Sequence, residues 1–247
     1  MEREPREDPR DDWEHADVAS STDAYARRFD GSVGAWFLEV QARHTLDLVG
    51  RSDPLRVLDV GGGHGQLTGP LLEAGHNVTV LGSDPRCGQR IQRWVREGRC
   101  RFDVGNLVDL PYPERSFDAA LAFRLLPHVE DWRRLLAELC RVARSVVVVD
   151  YPSVRSANVI AEPLFSLKSR LETDTRPFRR FSPRQVEDAL AAEGFAVRAH
   201  RGQFLLPMVL HRALKSGRLS NGMEAAARWS GATRYLGSPV IIRADRV

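Results

Sequence analysis

The sequence predicts a doubly wound α/β fold: a mostly parallel, seven-stranded sheet with helices on both faces and a helical lid. Three observations predict it. Short apolar runs alternate with helical runs from residue 56 onward. Two of those runs, RVLDV and SVVVVD, are almost continuously apolar, as strands covered on both faces by helices are. Between the first strand and the first helix lies DVGGGHG, a glycine turn at the position where such sheets open their ligand crevice.

The elements follow in order. Residues 1–22 carry the run MEREPREDPRDDWEHADV, with eight acids and three arginines, and read as a solvated, disordered acidic tail. The run 23–50 has helical spacing, with Trp36, Phe37, Val40 and His44 on one face, and is expected to form N-terminal helices that share in the lid. The core then spans 51–247. Its first strand is Arg56 to Val60, and a helix over about 65–74 is closed by Gly75 at a C′ position. Strands follow at Asn77 to Leu81, about Cys100 to Val104, Phe117 to Phe123 and Ser145 to Asp150, with helices near 88–97 and 131–143 between them. In FSPRQVEDALAAEGF, Ser182 is an N-cap, Pro183 is N1 and Gln185 completes a capping box. A sixth strand near Phe195 to His200 and a seventh near Pro239 to Ala244 flank a mostly helical run. Lid segments are expected at about 153–180 and 205–236, where the strand–helix alternation breaks.

Composition narrows the function classes. Hydrophobic residues make up 43% of the 247, enough for a packed core. No run approaches the ~18 apolar residues of a membrane span, and the acidic start resembles neither a secretory signal nor a transit peptide. Cys87, Cys100 and Cys140 are odd in number and scattered, with no metal-ligand spacing, so a reducing cytoplasm is expected and no metal site. Net charge is +3, and the cations are nearly all arginine, with lysine only at Lys168 and Lys215. That bias is read as a coding effect, and nucleic acid is not the expected partner.

The turn itself discriminates between ligands. A dinucleotide fingerprint needs a third glycine, or alanine, where this chain has Gln66 or Thr68, and no lysine follows to make a phosphate loop. Asp59 stands two residues before Gly61, where a carboxylate repels a pyrophosphate and attracts an ammonium. Asp84 follows the second strand 23 residues after Gly61, the place of an acid that accepts ribose hydroxyls. Asn106 sits past the third strand, beside the crevice, with Leu107 next to it.

These motifs carry a resemblance. D-V-G-G-G-H-G, then V-L-G-S-D, then G-N…L-P…S-F-D, then L-L-P-H-V-E-D…L-A-E-L-C-R-V resembles the class I S-adenosylmethionine-dependent methyltransferases, in the small-molecule branch of quinone and natural-product enzymes, over roughly residues 35–200. The resemblance implies a Rossmann-like core and S-adenosylmethionine as cofactor. It implies that Gly61 and Gly63 admit the methionine moiety, that Asp59 supports its amino end, that Asp84 holds the ribose, that Asn106 and Leu107 meet the adenine, and that Phe123 lines the methionine side. Arg43 is carried over as a partner of the cofactor carboxylate. Asn106 departs from the acid common at this position.

Each position has a structural alternative. Asp59 reads also as a cap of the turn amides, Asp84 as a helix N-cap, and Asn106 as an Asx turn. His128 in LLPHVED is the candidate general base, or a structural histidine of the family; His64 shapes the turn. Tyr25, His211 and Arg180 are the candidate acceptor contacts, Arg180 within the basic run RPFRRFSPR. The expected function is methyl transfer to a small molecule, at oxygen, by in-line displacement. The alternatives are an RNA or protein methyltransferase, a cofactor-binding protein without turnover, and, more distantly, a nicotinamide dehydrogenase.

Overall fold

The computed structural model describes residues 12–50, 53–156 and 178–247. Seven strands form one sheet in the order β3-β2-β1-β4-β5-β7-β6. They are β1 (Arg56–Val60), β2 (Asn77–Gly82), β3 (Cys100–Val104), β4 (Phe117–Ala122), β5 (Ala143–Tyr151), β6 (Phe195–Phe204) and β7 (Ser238–Arg246). β1 pairs in parallel with both β2 and β4, and β7 runs antiparallel between β5 and β6. The strand order reverses between β1 and β4, so a crevice opens at the carboxyl ends of those two strands. The expected doubly wound, mostly parallel sheet is the observed one.

The helices are α1 (Asp23–Ala26), α2 (Gly31–Val49), α3 (Thr68–Glu73), α4 (Gln92–Arg96), α5 (Trp132–Val142), α6 (Pro183–Ala192), α7 (Met208–Leu214), α8 (Gly217–Trp229) and α9 (Ala232–Leu236). α5 shows why the sequence folds as it does. Trp132, Leu135, Leu136 and Leu139 recur at three- and four-residue intervals and are all buried, which presses one face onto the sheet. Each such leucine contributes about 1.5–3 kcal/mol of burial. Beneath it, Ala120, Ala122, Val147 and Val149 supply the facing surface in the same cluster. At α6, the Ser182 side chain accepts from the Gln185 amide and the Gln185 side chain accepts from the Ser182 amide, the capping box that the spacing predicts.

The sheet edge extends further than expected, since β6 runs on to Phe204. The helical run expected over 205–236 is observed as α7, α8 and α9; the other segment expected to serve as a lid lies largely outside the described residues, at 157–177.

The acidic N-terminal stretch requires a correction. Residues 1–11 lie outside the described residues, but 16–21 are buried or half-buried rather than solvated. Ala16 and Asp17 are buried, and Ala16 joins the cluster that holds Leu58, Val60 and Leu125. We call residues 13–21 the strap. Its acids have partners, which a count of charges does not reveal.

Candidate functional site

The glycine turn begins where β1 ends. Gly61 adopts a left-handed φ of 71° and Gly65 one of 72°, conformations that side chains with a Cβ rarely take. The Gly61 amide donates to the Leu81 carbonyl at 2.8 Å, tying the turn to β2. Gly62 packs against the Asp59 carboxylate, and a Cβ there would fall on Oδ2. Gly63 makes room for the Cys87 carbonyl from the neighbouring segment. The sequence pointed to Gly61 and Gly63; the contact with Asp59 belongs to Gly62.

Asp59 is fully buried beneath this turn, and neither carboxylate oxygen has a hydrogen-bond partner among the described residues. Burial alone pushes its pKa up to about 7, because a low-dielectric site penalises the charged form. His64, also buried, is held down to about 3 by burial and by the Arg124 guanidinium. Its Nδ1 accepts from the Gln66 amide at 3.2 Å, so it serves the shape of the turn.

Asp84 begins the turn after β2. Its carboxylate accepts from the Arg86 amide at 2.8 Å and is gripped by the Arg86 guanidinium at 2.8 and 2.9 Å. The Arg86 side chain is 70% exposed, so this clasp lies in water, where such pairs are easily exchanged. Asn106 Oδ1 accepts from Val108 N at 3.2 Å, an Asx turn, and from Glu14 N of the strap at 3.3 Å. Leu107 and Phe123 are buried beside the crevice.

The strap crosses this crevice. Asp17 accepts from the Ser83 amide at 3.0 Å and from the Ser83 hydroxyl. Its Cβ lies near Gly61, where an added methyl would touch it at 3.4 Å. His15 Nδ1 meets the Ser83 hydroxyl at 3.0 Å, and Glu14 accepts from the Glu130 amide at 3.0 Å. The strap thus spans from the carboxyl end of β2 to the segment beyond β4.

Arg43 is not brought to the crevice. It is exposed on α2 and lines a surface groove with Glu39 and Arg218. The helical phase places Gln41 inward instead, and its Oε1 accepts from Arg124 at 2.6 and 3.0 Å. Arg124 follows β4 with a φ of 57°, donates its amide to buried Asp150 at 2.6 Å and lays its guanidinium 4.2 Å over the Phe29 ring. Its charge acts on His64 of the turn, and the sequence did not single it out. The signal for it lay in its position, directly after the fourth strand.

Of the acceptor candidates, His211 is corrected. It is fully buried, with Nε2 at 3.1 Å from the equally buried Glu224, and its ring packs with Trp36, Phe37 and Phe204. It is part of the cap interior and meets no solvent. Tyr25 packs its ring on Phe29 at 5.8 Å. His128 is half-buried after β4, with its ring 5.7 Å from that of Phe178, and the Arg180 guanidinium lies 6.0 Å from the same Phe178 ring.

Residues 58–148 match the methyltransferase domain family. Malonyl-[acyl-carrier protein] O-methyltransferase of Halorhodospira halophila is 38% identical over 132 residues, covering 51% of this chain and 43% of that protein. Demethylmenaquinone methyltransferase of Deinococcus radiodurans is 33% identical over 106 residues, 40% of this chain and 44% of that protein. Among solved structures, magnesium protoporphyrin IX methyltransferase of Synechocystis, with bound S-adenosylhomocysteine, covers 93% of this chain and 96% of its own with a TM-score of 0.63 at 14% identity, a likeness of fold. The match spans less than half the length of these curated relatives. Residues 58–148 are thus similar to a methyltransferase domain on a fold shared with a solved methyltransferase, and the likeness implies S-adenosylmethionine as cofactor. The residues present fit that cofactor: an orphaned, buried carboxylate lies against the turn where a cation is needed.

Among the described residues no helix is long and apolar enough to cross a membrane.

Proposed function

We propose that the protein methylates an oxygen of a small organic acceptor. The observation that carries this reading is Asp59, a carboxylate buried against the glycine turn with both oxygens unpartnered. A buried charge without a partner is costly, so such a group marks a site completed by something else. A cationic ligand answers that need and a pyrophosphate does not. Oxygen as the atom methylated is supported by relatives, such as the Halorhodospira protein, whose names specify O-methyltransferases.

Bound S-adenosylmethionine supplies an electrophilic methyl group on a positively charged sulfur. In this reading Asp59 stabilises the positive end of the ligand, and Arg124, in the role first given to Arg43, holds its carboxylate. Asp84 accepts the ribose hydroxyls once Arg86 yields, and Asn106 and Leu107 take the adenine. Phe123 closes the methionine side. The departing thioether is neutral, so no general acid is required, and the protein's main contribution is in-line alignment, worth up to about 7–11 kcal/mol. His128 is the candidate base where the acceptor hydroxyl must lose a proton, a contribution of about 10²–10⁴ in rate. Tyr25 and Arg180 remain candidate contacts for the acceptor. The three free, buried thiols fit a cytoplasmic setting.

Titration calorimetry with S-adenosylmethionine and S-adenosylhomocysteine tests the reading. Saturable binding of both, lost in Asp84→Ala, is the expected result. Absence of saturable binding ends the proposal, and methyl transfer confined to RNA or to a protein side chain would redirect it.

A further inference from the structure

A cavity of about 940 Å³ lies at the β6 edge of the sheet, between α2, α8 and α9 on one side and the start of α6 on the other. That volume is in the range of small-molecule sites. Its rim carries five arginines, Arg155, Arg198, Arg201, Arg228 and Arg234. None of the five pairs with a carboxylate among the described residues. Glu187, the one acid among the described residues of the cavity lining, is taken by His200 at 3.0 Å.

The interior is as one-sided as the rim. Four of its lining residues each hold a buried polar atom with no hydrogen-bond partner among the described residues: Tyr151 Oη, Thr233 Oγ1, His44 Nε2 and Arg228 Nη1. Tyr151 is 1% exposed and Thr233 3%. Each of these groups can donate a hydrogen bond, and none is an obligate acceptor. Buried polar groups are otherwise almost always satisfied, so four orphans in one cavity mark a missing acceptor. The His44 imidazole is held neutral, at about 4, by burial and by Arg43, Arg201 and Arg228, against Asp47; an entering anion would relieve that pressure. At the mouth, Tyr235 is 71% exposed and Leu236 42%, an apolar surface for the body of a ligand.

We infer that this cavity binds a small molecule bearing a phosphate-type oxyanion, with Arg201 and Arg228 neutralising the charge and Tyr151, Thr233 and His44 donating to its oxygens. Guanidinium groups suit tetrahedral oxyanions because their forked N–H groups bind two oxygens at once. The site is separate from the cofactor crevice, and the inference holds whether or not methyl transfer is the activity.

The test is titration calorimetry of the whole chain with inorganic phosphate and pyrophosphate at fixed ionic strength. Saturable binding of pyrophosphate is expected, weakened at least tenfold in Arg228→Gln and at least threefold in Arg201→Gln. Arg201 is exposed, so its substitution leaves the fold intact if Arg228→Gln does not. Arg218→Gln, on the other groove, should bind as the wild type does. No saturable binding by 10 mM (on the order of the weakest useful affinity) overturns the inference, as does binding equal in wild type and both cavity variants. A single-stranded oligonucleotide that displaces pyrophosphate at a hundredfold lower concentration would also overturn it, making the cavity part of a nucleic-acid surface. S-adenosylmethionine titrated in parallel separates the two proposals, since failure of either ligand to bind leaves binding of the other as an independent result.

Discussion

Asp17 of the strap and Ser83 at the end of β2 are joined twice, through the Ser83 amide at 3.0 Å and through its hydroxyl. Both residues have no exposed surface. The contact sits between the glycine turn and Asp84, the two features assigned to the cofactor. A hydrogen bond to a charged group contributes about 1.5–3 kcal/mol, so the strap is held firmly across the crevice, and we propose that it competes with what enters there.

The first prediction follows. Asp17→Ala should loosen the strap and tighten S-adenosylmethionine binding by tenfold or more, while lowering the melting temperature of the ligand-free protein. Calorimetry and thermal unfolding read the two effects. Weaker cofactor binding in this variant would show that the strap is part of the binding site and not a competitor.

Asp59 gives the second. Its folded pKa, about 7, lies above the ordinary carboxyl value of 3.8. Between those values the folded chain keeps a proton that the unfolded chain releases, so stability falls as pH rises from about 4 to 7 and is flat above. Asp150, raised to about 6 by burial and partly restrained by the Arg124 amide, acts in the same direction. Asp59→Asn removes the ionisation. It should match the wild type near pH 4 and exceed it by a few kcal/mol at pH 8, with weaker binding of the cationic cofactor. Urea unfolding at the two pH values checks the sign; a variant less stable at pH 8 than the wild type refutes it. A residue whose loss stabilises the fold and impairs the ligand is retained for function.

Gln41 gives the third. It is buried, and it accepts twice from Arg124. Gln41→Leu keeps the volume and removes the acceptor, leaving the guanidinium to reorganise. A loss of about 1–3 kcal/mol in unfolding free energy is expected. Because Arg124 would then be free to leave the turn, S-adenosylmethionine binding should weaken as well, whereas Arg43→Ala should leave it unchanged.

These residues also show what the sequence could and could not disclose. The sheet was legible because RVLDV and SVVVVD are apolar throughout, and the α6 cap because Ser182, Pro183 and Gln185 stand at fixed offsets. Asp59 was legible as an acid beside a glycine turn, though its burial under Gly62 was not. The strap was illegible because eight acids in a short run signal solvation, and only the pairing of Asp17 with Ser83, 66 residues away, reverses that. Arg43 was carried over from the family resemblance and Arg124 was not singled out; the phase of α2 turns Gln41 inward and Arg43 out. His211 looked available for substrate because its partner, Glu224, lies thirteen residues on, on a separate helix.

That last pair makes the final prediction. Glu224 is fully buried and accepts from three donors: Leu205 N at 3.0 Å, Leu206 N at 2.9 Å and His211 Nε2 at 3.1 Å. The two amides belong to the turn that leads from β6 into α7, so one carboxylate fixes the approach of the cap to the sheet. Glu224→Leu strands all three donors in an apolar setting beside Trp36 and Phe204, and breaking a buried network of this kind costs about 3–5 kcal/mol. Glu224→Gln keeps an oxygen for the amides and should cost less than half as much. Hydrogen exchange should then show amides of α7 and α8 opening first in Glu224→Leu, while those of β1 and β4 stay protected, since their packing does not pass through the cap. Uniform loss of protection across the sheet would mean that the cap and the core unfold as one unit.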